Sequence, residues 1–304
     1  MTTVILFLIA FLPRLILANQ SLWLDEASTF GQAALPISQF FQAIKADIHP
    51  PLSFLILHFW IPLAGKTEWL IRLPNILFGA ATIPVLYLLL TVIPAKAGIY
   101  LNRSPIKSGM TLPLLAALLL AINPLHIYYS QELRMYSLNV LLTVLSWLLL
   151  LKWFKGKNSK HFAVGYLLVS IANLYTFYGS VFNLIAQWVF VFWQFPKKVK
   201  PFTISNLLLA IFFLPWLPTF ITQLQAGNYL TKALPGWSAV SGTLSIKSIG
   251  LIFAKFTLGR ISFADKTFYS LFVFSVILYF ILALVVSYHK FKPKLLISWM
   301  LVPL

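Results

Sequence analysis

The chain has 304 residues, of which 60% are hydrophobic and 10% charged, with a mean hydropathy of +0.88, and this excludes the polar surface a soluble domain of that size needs. Its net charge of +17 would suit nucleic acid, but the basic residues fall in short clusters between apolar runs, with no basic domain or aromatic-basic groove, so nucleic acid is not an expected partner. Cysteine is absent, which excludes disulfides and thiolate metal sites.

The apolar runs are long and continuous instead of alternating every second residue, so helices are expected and not a barrel. The expected fold is an all-α integral membrane protein, a single multi-span helical bundle over residues 1–304 with about eight full spans, a partial ninth and loop helices on the outer face. Residues 2–18 form the first span. It has no basic n-region and Arg14 interrupts it, so it reads as retained and not as a cleaved signal. The first outer loop, residues 19–71, opens with LDEAS at Asp25–Glu26. Within it Ile37, Phe40, Phe41 and Ile44 recur at helical spacing, which predicts a helix over Ile37–Ala46 lying flat on the membrane. Residues 51–65 are apolar but shorter than the ~20 residues of a span and begin at Pro50-Pro51, so they read as a re-entrant or outer-leaflet helix.

Further spans are expected over residues 72–93, 110–128, 136–151, 162–177, 179–195, 202–221 and 268–288. A second outer corner falls at residues 129–135 and a third outer loop at 222–267, while 92–109 is a Pro-, Gly- and Lys-rich connector. Residues 295–304 begin another outward span, so the C-terminus reads as truncated.

Charge sets the orientation. Basic clusters at Lys96/Arg103/Lys107, Lys152/Lys155/Lys157/Lys160, Lys197/Lys198/Lys200 and Lys290/Lys292/Lys294 contain no acid, and the positive-inside rule places them in the cytoplasm. The spans above supply an even number of crossings between successive clusters, with a cytoplasmic N-terminus. All 6 acids, Asp25, Glu26, Asp47, Glu68, Glu132 and Asp265, then fall outside, a result the construction did not impose.

Three polar stretches stand out on that face. Asp25 and Glu26 suit a solvated helix N-terminus, where acids complement the dipole and Trp23 anchors at the interface. Yet two of six acids sit together at a membrane boundary, where a carboxylate of raised pKa can act as a general base. Asp47-Ile48-His49-Pro50-Pro51 reads as a Pro-terminated loop, or as a site where His49 meets an anion. Arg72 alone would be expected to snorkel, and Arg14, deeper in its span, is the more expensive residue to bury. The densest polar stretch runs from His126 to Tyr136. Helical spacing places Tyr128, Glu132 and Tyr136 on one face with Tyr129 beside it, either as an aromatic belt with a Glu132–Arg134 contact or with Glu132 opposite Asp25 across an outward cleft. No nucleotide-binding or hydrolase motif is present, so an activated substrate on this side would arrive attached to lipid.

The stretches LWLDEASTF, DIHPPLSFLILHFW, EWLIRLPNILFGAATIPVLYLL and INPLHIYYSQELRMYSL, in this order, resemble the GT-C membrane glycosyltransferases. The nearer resemblance is to the glycosyltransferase family 39 or protein O-mannosyltransferase-like group of bacteria, with related aminoarabinose transferases. It covers residues 14–151, and beyond them the similarity is one of hydropathy. It implies a GT-C bundle in a bacterial cytoplasmic (inner) membrane, with the active site on the periplasmic side. There a hexose or pentose would pass with inversion from a polyprenyl-phosphate donor to a hydroxyl acceptor on protein, lipid or glycan. The resemblance makes Asp25 the catalytic base, with Glu26 its partner, and maps the second-loop acid to Glu132. The residue before Pro-Pro, a lysine near the donor phosphate in aminoarabinose transferases, is His49 here, a departure from the pattern. His49, Arg72, His126, Tyr128, Tyr129 and Arg134 are the substrate-binding candidates, with Lys255 and Arg260 as further outer cations. Relatives differ in metal use, so Asp25, Glu26 and Glu132 hold a divalent ion or none.

Two rivals remain: a transporter or flippase of lipid-linked saccharide, which would place ionisable residues at the midplane and break helices in paired halves, and an inactive truncated relative. The topology is testable because the chain has no native cysteine. A cysteine introduced at Ser159 is expected to resist membrane-impermeant thiol reagents in intact cells and to react after permeabilisation.

Overall fold

The computed structural model describes residues 1–65, 67–93, 111–156, 159–233, 255 and 265–291, and among these residues there is no strand. The first helix α1 (Thr2–Leu15) is followed by α2 (Leu24–Ala33), α3 (Ile37–Ala46) and α4 (Leu52–Ala64). A long α5 (Glu68–Val92) leads to α6 (Leu112–Ala121), α7 (Pro124–Gln131) and α8 (Tyr136–Lys155). Then come α9 (Ser159–Leu174), α10 (Ser180–Gln194), α11 (Val199–Phe213), α12 (Leu217–Ala233) and α13 (Lys266–Phe291).

Among the described residues three stretches, Glu68–Val92, Tyr136–Lys155 and Pro196–Tyr229, are long and apolar enough to cross a membrane, and the bent pair α6–α7 makes up to four. Helices α1, α4 and α10 are apolar but shorter. The burial pattern is that of a protein solvated by lipid. Val4, Leu8 and Leu12 of α1 and Leu207 and Ile211 of α11 are exposed, while Arg14, Ser146, Asn183 and Gln187 are buried. This is a membrane protein. Of the basic clusters, Lys96, Arg103, Lys107, Lys157, Lys292 and Lys294 lie outside the described residues, as do residues 94–110 and 292–304 as a whole.

Several elements depart from expectation for identifiable reasons. Helix α1 stops at Leu15, short of residue 18, because the chain turns there, with Leu17 in the left-handed region at φ 63°. The expected span over 110–128 is broken. Asn123 caps a new helix by accepting from the His126 amide at 2.9 Å, Pro124 stands in its first turn, and α6 and α7 meet at 53°. Glu132 is extended after α7 and α8 begins at Tyr136, so Tyr128, Glu132 and Tyr136 do not share one continuous helical face. The third loop, expected from 222, is helical to Ala233, and the segments 234–254 and 256–264, with Arg260, lie outside the described residues. Lys255 is exposed.

Helix α3 forms over the expected residues, but its apolar stripe divides. Phe40 and Ile44 are buried against Phe54 of α4, with Trp216 beside them, while Ile37 and Phe41 face outward. Helix α4, at 13 residues, is roughly 20 Å long, shorter than a bilayer core of ~30 Å.

The bundle interior has two main parts. An aromatic-rich cluster containing Trp147, Trp153, Tyr166, Phe190 and Phe202 joins α8 to α11, with Leu86 and Leu89 of α5. A second, built on Leu6, Ala10, Ala80, Ile83, Ala117 and Ala121, lets α1, α5 and α6 approach closely through small residues. Among the described glycines the tightest is Gly79, where an added Cβ would lie 2.0 Å from Ser130 Oγ and 3.2 Å from Arg14 Nε. Gly79→Ala is therefore expected to lower stability by about 1–3 kcal/mol, read as an earlier thermal unfolding transition in detergent. Gly165→Ala, inside α9 with its nearest neighbour atoms at 3.5 Å, is expected to hold or slightly raise the transition.

Candidate functional site

Polar side chains gather at the end of the bundle where α1 closes and α5 begins. Asp25 and Glu26 occupy the first turn of α2. Adjacent residues on a helix point about 100° apart, so one of them turns inward and the other does not. Glu26 is the inward one, 1% exposed. Its Oε1 accepts from Arg72 Nε at 2.9 Å and from the Leu133 amide at 2.8 Å, and its Oε2 accepts from Arg72 Nη2 at 2.6 Å and the Trp23 amide at 3.3 Å. This is a bidentate, buried ion pair with the carboxylate fully occupied. Arg72, 4% exposed, does not snorkel. Its Nη1 also donates to the carbonyls of Ala18 at 2.7 Å and Gln20 at 2.5 Å. The left-handed Leu17 costs about 1–2 kcal/mol, and the guanidinium held by the turn that follows offsets it.

Two further α5 residues share the face of Arg72 at helical spacing. Asn75 donates through Nδ2 to the carbonyls of Glu132 and, at 2.8 Å, Arg134, and Gly79 admits Ser130. Arg72, Asn75 and Gly79 thus hold the α7–α8 corner from one stripe of one helix. Below it lies a second polar knot around Arg14, 0% exposed, which donates to Ser130 Oγ at 3.2 Å, to the carbonyls of Ala10 and Ala121, and to His126 Nδ1 at 2.6 Å. A guanidinium donates only, so His126 Nδ1 is the acceptor. Gln131 closes the knot by donating to the carbonyls of Arg14 and Ile16.

The corner carries Arg134 to a third group. Its Nη1 donates to Thr29 Oγ1 at 3.2 Å and its Nη2 lies 3.2 Å from His49 Nε2. His49 Nδ1 lies 2.6 Å from Asp47 Oδ1. Since Arg134 is a donor, Nε2 accepts from it and Nδ1 carries the proton donated to Asp47. Asp47 also accepts from Gln32 Nε2 at 3.0 Å and from the amides of Ile48 at 2.7 Å and His49 at 2.9 Å. Burial pushes the Asp47 carboxyl upward, but these hydrogen bonds outweigh it and hold it below its ordinary value.

Asp25, Thr29 and Gln32 form one stripe of α2, and the last two reach Arg134 and Asp47. Thr29 Oγ1 donates to the Asp25 carbonyl at 2.8 Å. The half-buried Asp25 carboxylate makes no hydrogen bond or ion pair among the described residues. Of the candidates from sequence, the structure joins Glu26 to Arg72 and His49 to Arg134. It places His126 in the separate Arg14 knot. The Glu132 side chain is buried, and Tyr128, Tyr129 and Tyr136 pack edge to face, with Tyr129 between the others. Among the described residues no three His, Cys, Asp or Glu side chains are grouped to share a metal ion. A site built on Asp25, Glu26 and Glu132 does not fit, because both Glu26 oxygens are already committed. Thr29, Gln32, Asn75 and Gly79 are missing from the sequence-derived set, although the spacing of Asn75 and Gly79 from Arg72 was a signal for the last two.

Fold and site together define a helical membrane protein with a polar, partly buried cluster of carboxylates and guanidinium groups at one end of its bundle. The N-terminal domain model of the protein O-mannosyl-transferase TMEM260 matches residues 49–177. That stretch contains His49, Arg72, Asn75, Gly79, Glu132 and Arg134, and it begins after Asp25, Glu26 and Asp47. No curated protein matches the chain.

Glu26→Gln is expected to destabilise the fold by about 3–5 kcal/mol, because it leaves the Arg72 guanidinium buried without its counter-charge. Replacing both partners by apolar residues of similar size (Glu26→Leu with Arg72→Met) is expected to recover only part of that loss, because the amides of Trp23 and Leu133 and the carbonyls of Ala18 and Gln20 then lose their partners. Thermal unfolding of the purified proteins measures both effects.

Proposed function

We propose that the protein is a membrane glycosyltransferase of the GT-C kind. It takes a hexosyl or pentosyl group from a polyprenyl-phosphate donor and passes it, with inversion, to a hydroxyl acceptor at the outer face of a bacterial cytoplasmic membrane. The observation that carries this reading is that the stretch matching an O-mannosyl-transferase domain supplies the residues that clamp the Asp25–Glu26 turn. The α1-to-α2 turn and the matched stretch thus meet at one place.

The two acids have different work in this reading. Glu26 is bound on both oxygens and holds the turn. Asp25, one residue away, is left with an unoccupied carboxylate as the general base. The acceptor hydroxyl transfers its proton to Asp25 as its oxygen attacks the anomeric carbon. The bond from that carbon to the phosphate oxygen breaks, and its electron pair leaves with polyprenyl phosphate, which departs from the opposite face. The leaving phosphate needs cationic stabilisation more than a proton. Arg134, brought from the α7–α8 corner to Thr29 of this stripe and to His49, is the cation assigned to it. Tyr128 and Tyr129 border the same corner and are assigned to substrate, while Glu132 serves it from a buried position. The charge pattern continues to favour about eight crossings, with the shorter helices α1, α9 and α10 among them.

A flippase of lipid-linked saccharide has one observation in its favour, the broken helix pair α6–α7. Asn123 and Pro124 account for that break locally, and no second broken pair is found among the described residues. Asp25→Asn is expected to lower transfer from a polyprenyl-phosphate mannose donor by at least about a hundredfold, with its unfolding temperature within about 2 °C of the parent. Transfer near the parent rate by that variant would remove Asp25 from the chemistry. Saccharide translocation in vesicles without transfer would favour the flippase.

A further inference from the structure

The loop that presents His49 is gripped from a part of the chain outside both the matched stretch and the expected spans. Gln223 lies in α12, 2% exposed, in a segment where a loop was expected. Its Nε2 donates to the Ile44 carbonyl at 2.8 Å and to the His49 carbonyl at 3.2 Å. Its Oε1 accepts from the Tyr178 hydroxyl, which in turn accepts from Trp216 Nε1 at 2.8 Å. The donor and acceptor ends of the Gln223 amide are therefore fixed by their partners. Burial pushes the Tyr178 hydroxyl up to about 12, so it stays a neutral donor to Gln223 at physiological pH. Nearby, the Leu52 amide donates to the Tyr175 carbonyl at 2.9 Å, tying the start of α4 to the α9–α10 turn.

These bonds continue into the candidate site without interruption. From Trp216 they pass through Tyr178 and Gln223 to the His49 backbone, then from the His49 ring to Arg134, Thr29 and the Asp25 carbonyl. We propose that Gln223 is a positioning residue, which with Tyr178 sets the His49 loop from α12 and through it fixes the Arg134 guanidinium at the reactive end of the bundle. The residue touches no substrate in this scheme. It acts through His49, and its effect on catalysis rests on Arg134 facing the donor phosphate as described under Proposed function. Among the described residues Arg134 Nη2 meets His49 Nε2 alone, so displacement of the loop releases Arg134 Nη2 as well.

The test uses the purified 304-residue chain, with Gln223→Leu and the milder Tyr178→Phe. Asn183→Leu, which removes a buried polar contact to Trp147 away from the site, is the control. Phenylglyoxal modification of individual arginines, followed by mass spectrometry, reads the guanidinium without reference to activity. Arg134 is expected to react about tenfold faster in Gln223→Leu, as loss of hydrogen bonds of ordinary net strength predicts, and severalfold faster in Tyr178→Phe. It is expected to keep its parent rate in Asn183→Leu, and the deeply buried Arg14 and Arg72 are expected to keep theirs in all three variants. An unchanged Arg134 rate in both site variants overturns the proposal. So does a parallel rise at Arg14 and Arg72, which would mean general loosening. In the transfer assay, KM for the polyprenyl-phosphate donor is expected to rise about tenfold in Gln223→Leu, with a smaller change in kcat and no change in the control. A parent protein that transfers no sugar would refute the proposed function while the modification rates still decide the role of Gln223.

Discussion

The polar end of this protein depends on one buried ion pair. Glu26 and Arg72 meet where the α1–α2 turn, α5 and the α7–α8 corner converge, and every oxygen of the carboxylate is occupied by a donor from one of those three segments. In a low-dielectric setting an ion pair of this kind adds little net stability over a well-packed apolar replacement, but losing one member is severe. Its physical effect is therefore to make three distant stretches of sequence mutually dependent. The Leu133 amide cannot leave Glu26 without a buried carboxylate losing a donor, and the turn after Leu17 cannot relax without exposing Arg72.

Around that pair the same device recurs: a side chain from a helix satisfies backbone carbonyls of an irregular segment. Arg72 serves the α1–α2 turn, Asn75 the α7–α8 corner, Gln131 the end of α1, and Gln223 the loop before α4. Irregular backbone near a bilayer needs such partners, since water is not there to supply hydrogen bonds. The polar side chains of the bundle end are thus largely structural, and this sets off the few that are not consumed in this way. Asp25 is the clearest of them.

Much of the fold was legible because lipid solvation leaves a strong pattern. The runs at Glu68–Val92 and Tyr136–Lys155, the amphipathic Ile37–Ala46 and the short helix after Pro51 appear where periodicity and length place them, whereas only three or four stretches among the described residues have the length and composition of a span where about eight were expected. The break at Asn123-Pro124 was visible as a cap signal, but the hydropathy of the flanking residues masked it. Gln223 was hidden for a different reason: its burial and both of its carbonyl partners arise from contacts across more than half the chain, which leave no local trace. The site was legible as a set of residue types and not as a set of roles. Sequence singled out Asp25, Glu26, His49, Arg72 and Arg134 as candidates, yet neighbouring acids of the same charge look alike until helical phase assigns one to the interior.

The order of the two acids then becomes a matter of reach. The inward position must span to the fork of Arg72, to the amide of Leu133 and back to the amide of Trp23, which the longer side chain of glutamate accomplishes. The outward position has no such distance to cover, and a shorter, stiffer carboxylate there stays close to the backbone that Thr29 braces. Asp followed by Glu is thus a directional pair: written in reverse, the same two charges would leave the inner acid a methylene short of its partners and put the more flexible one at the rim.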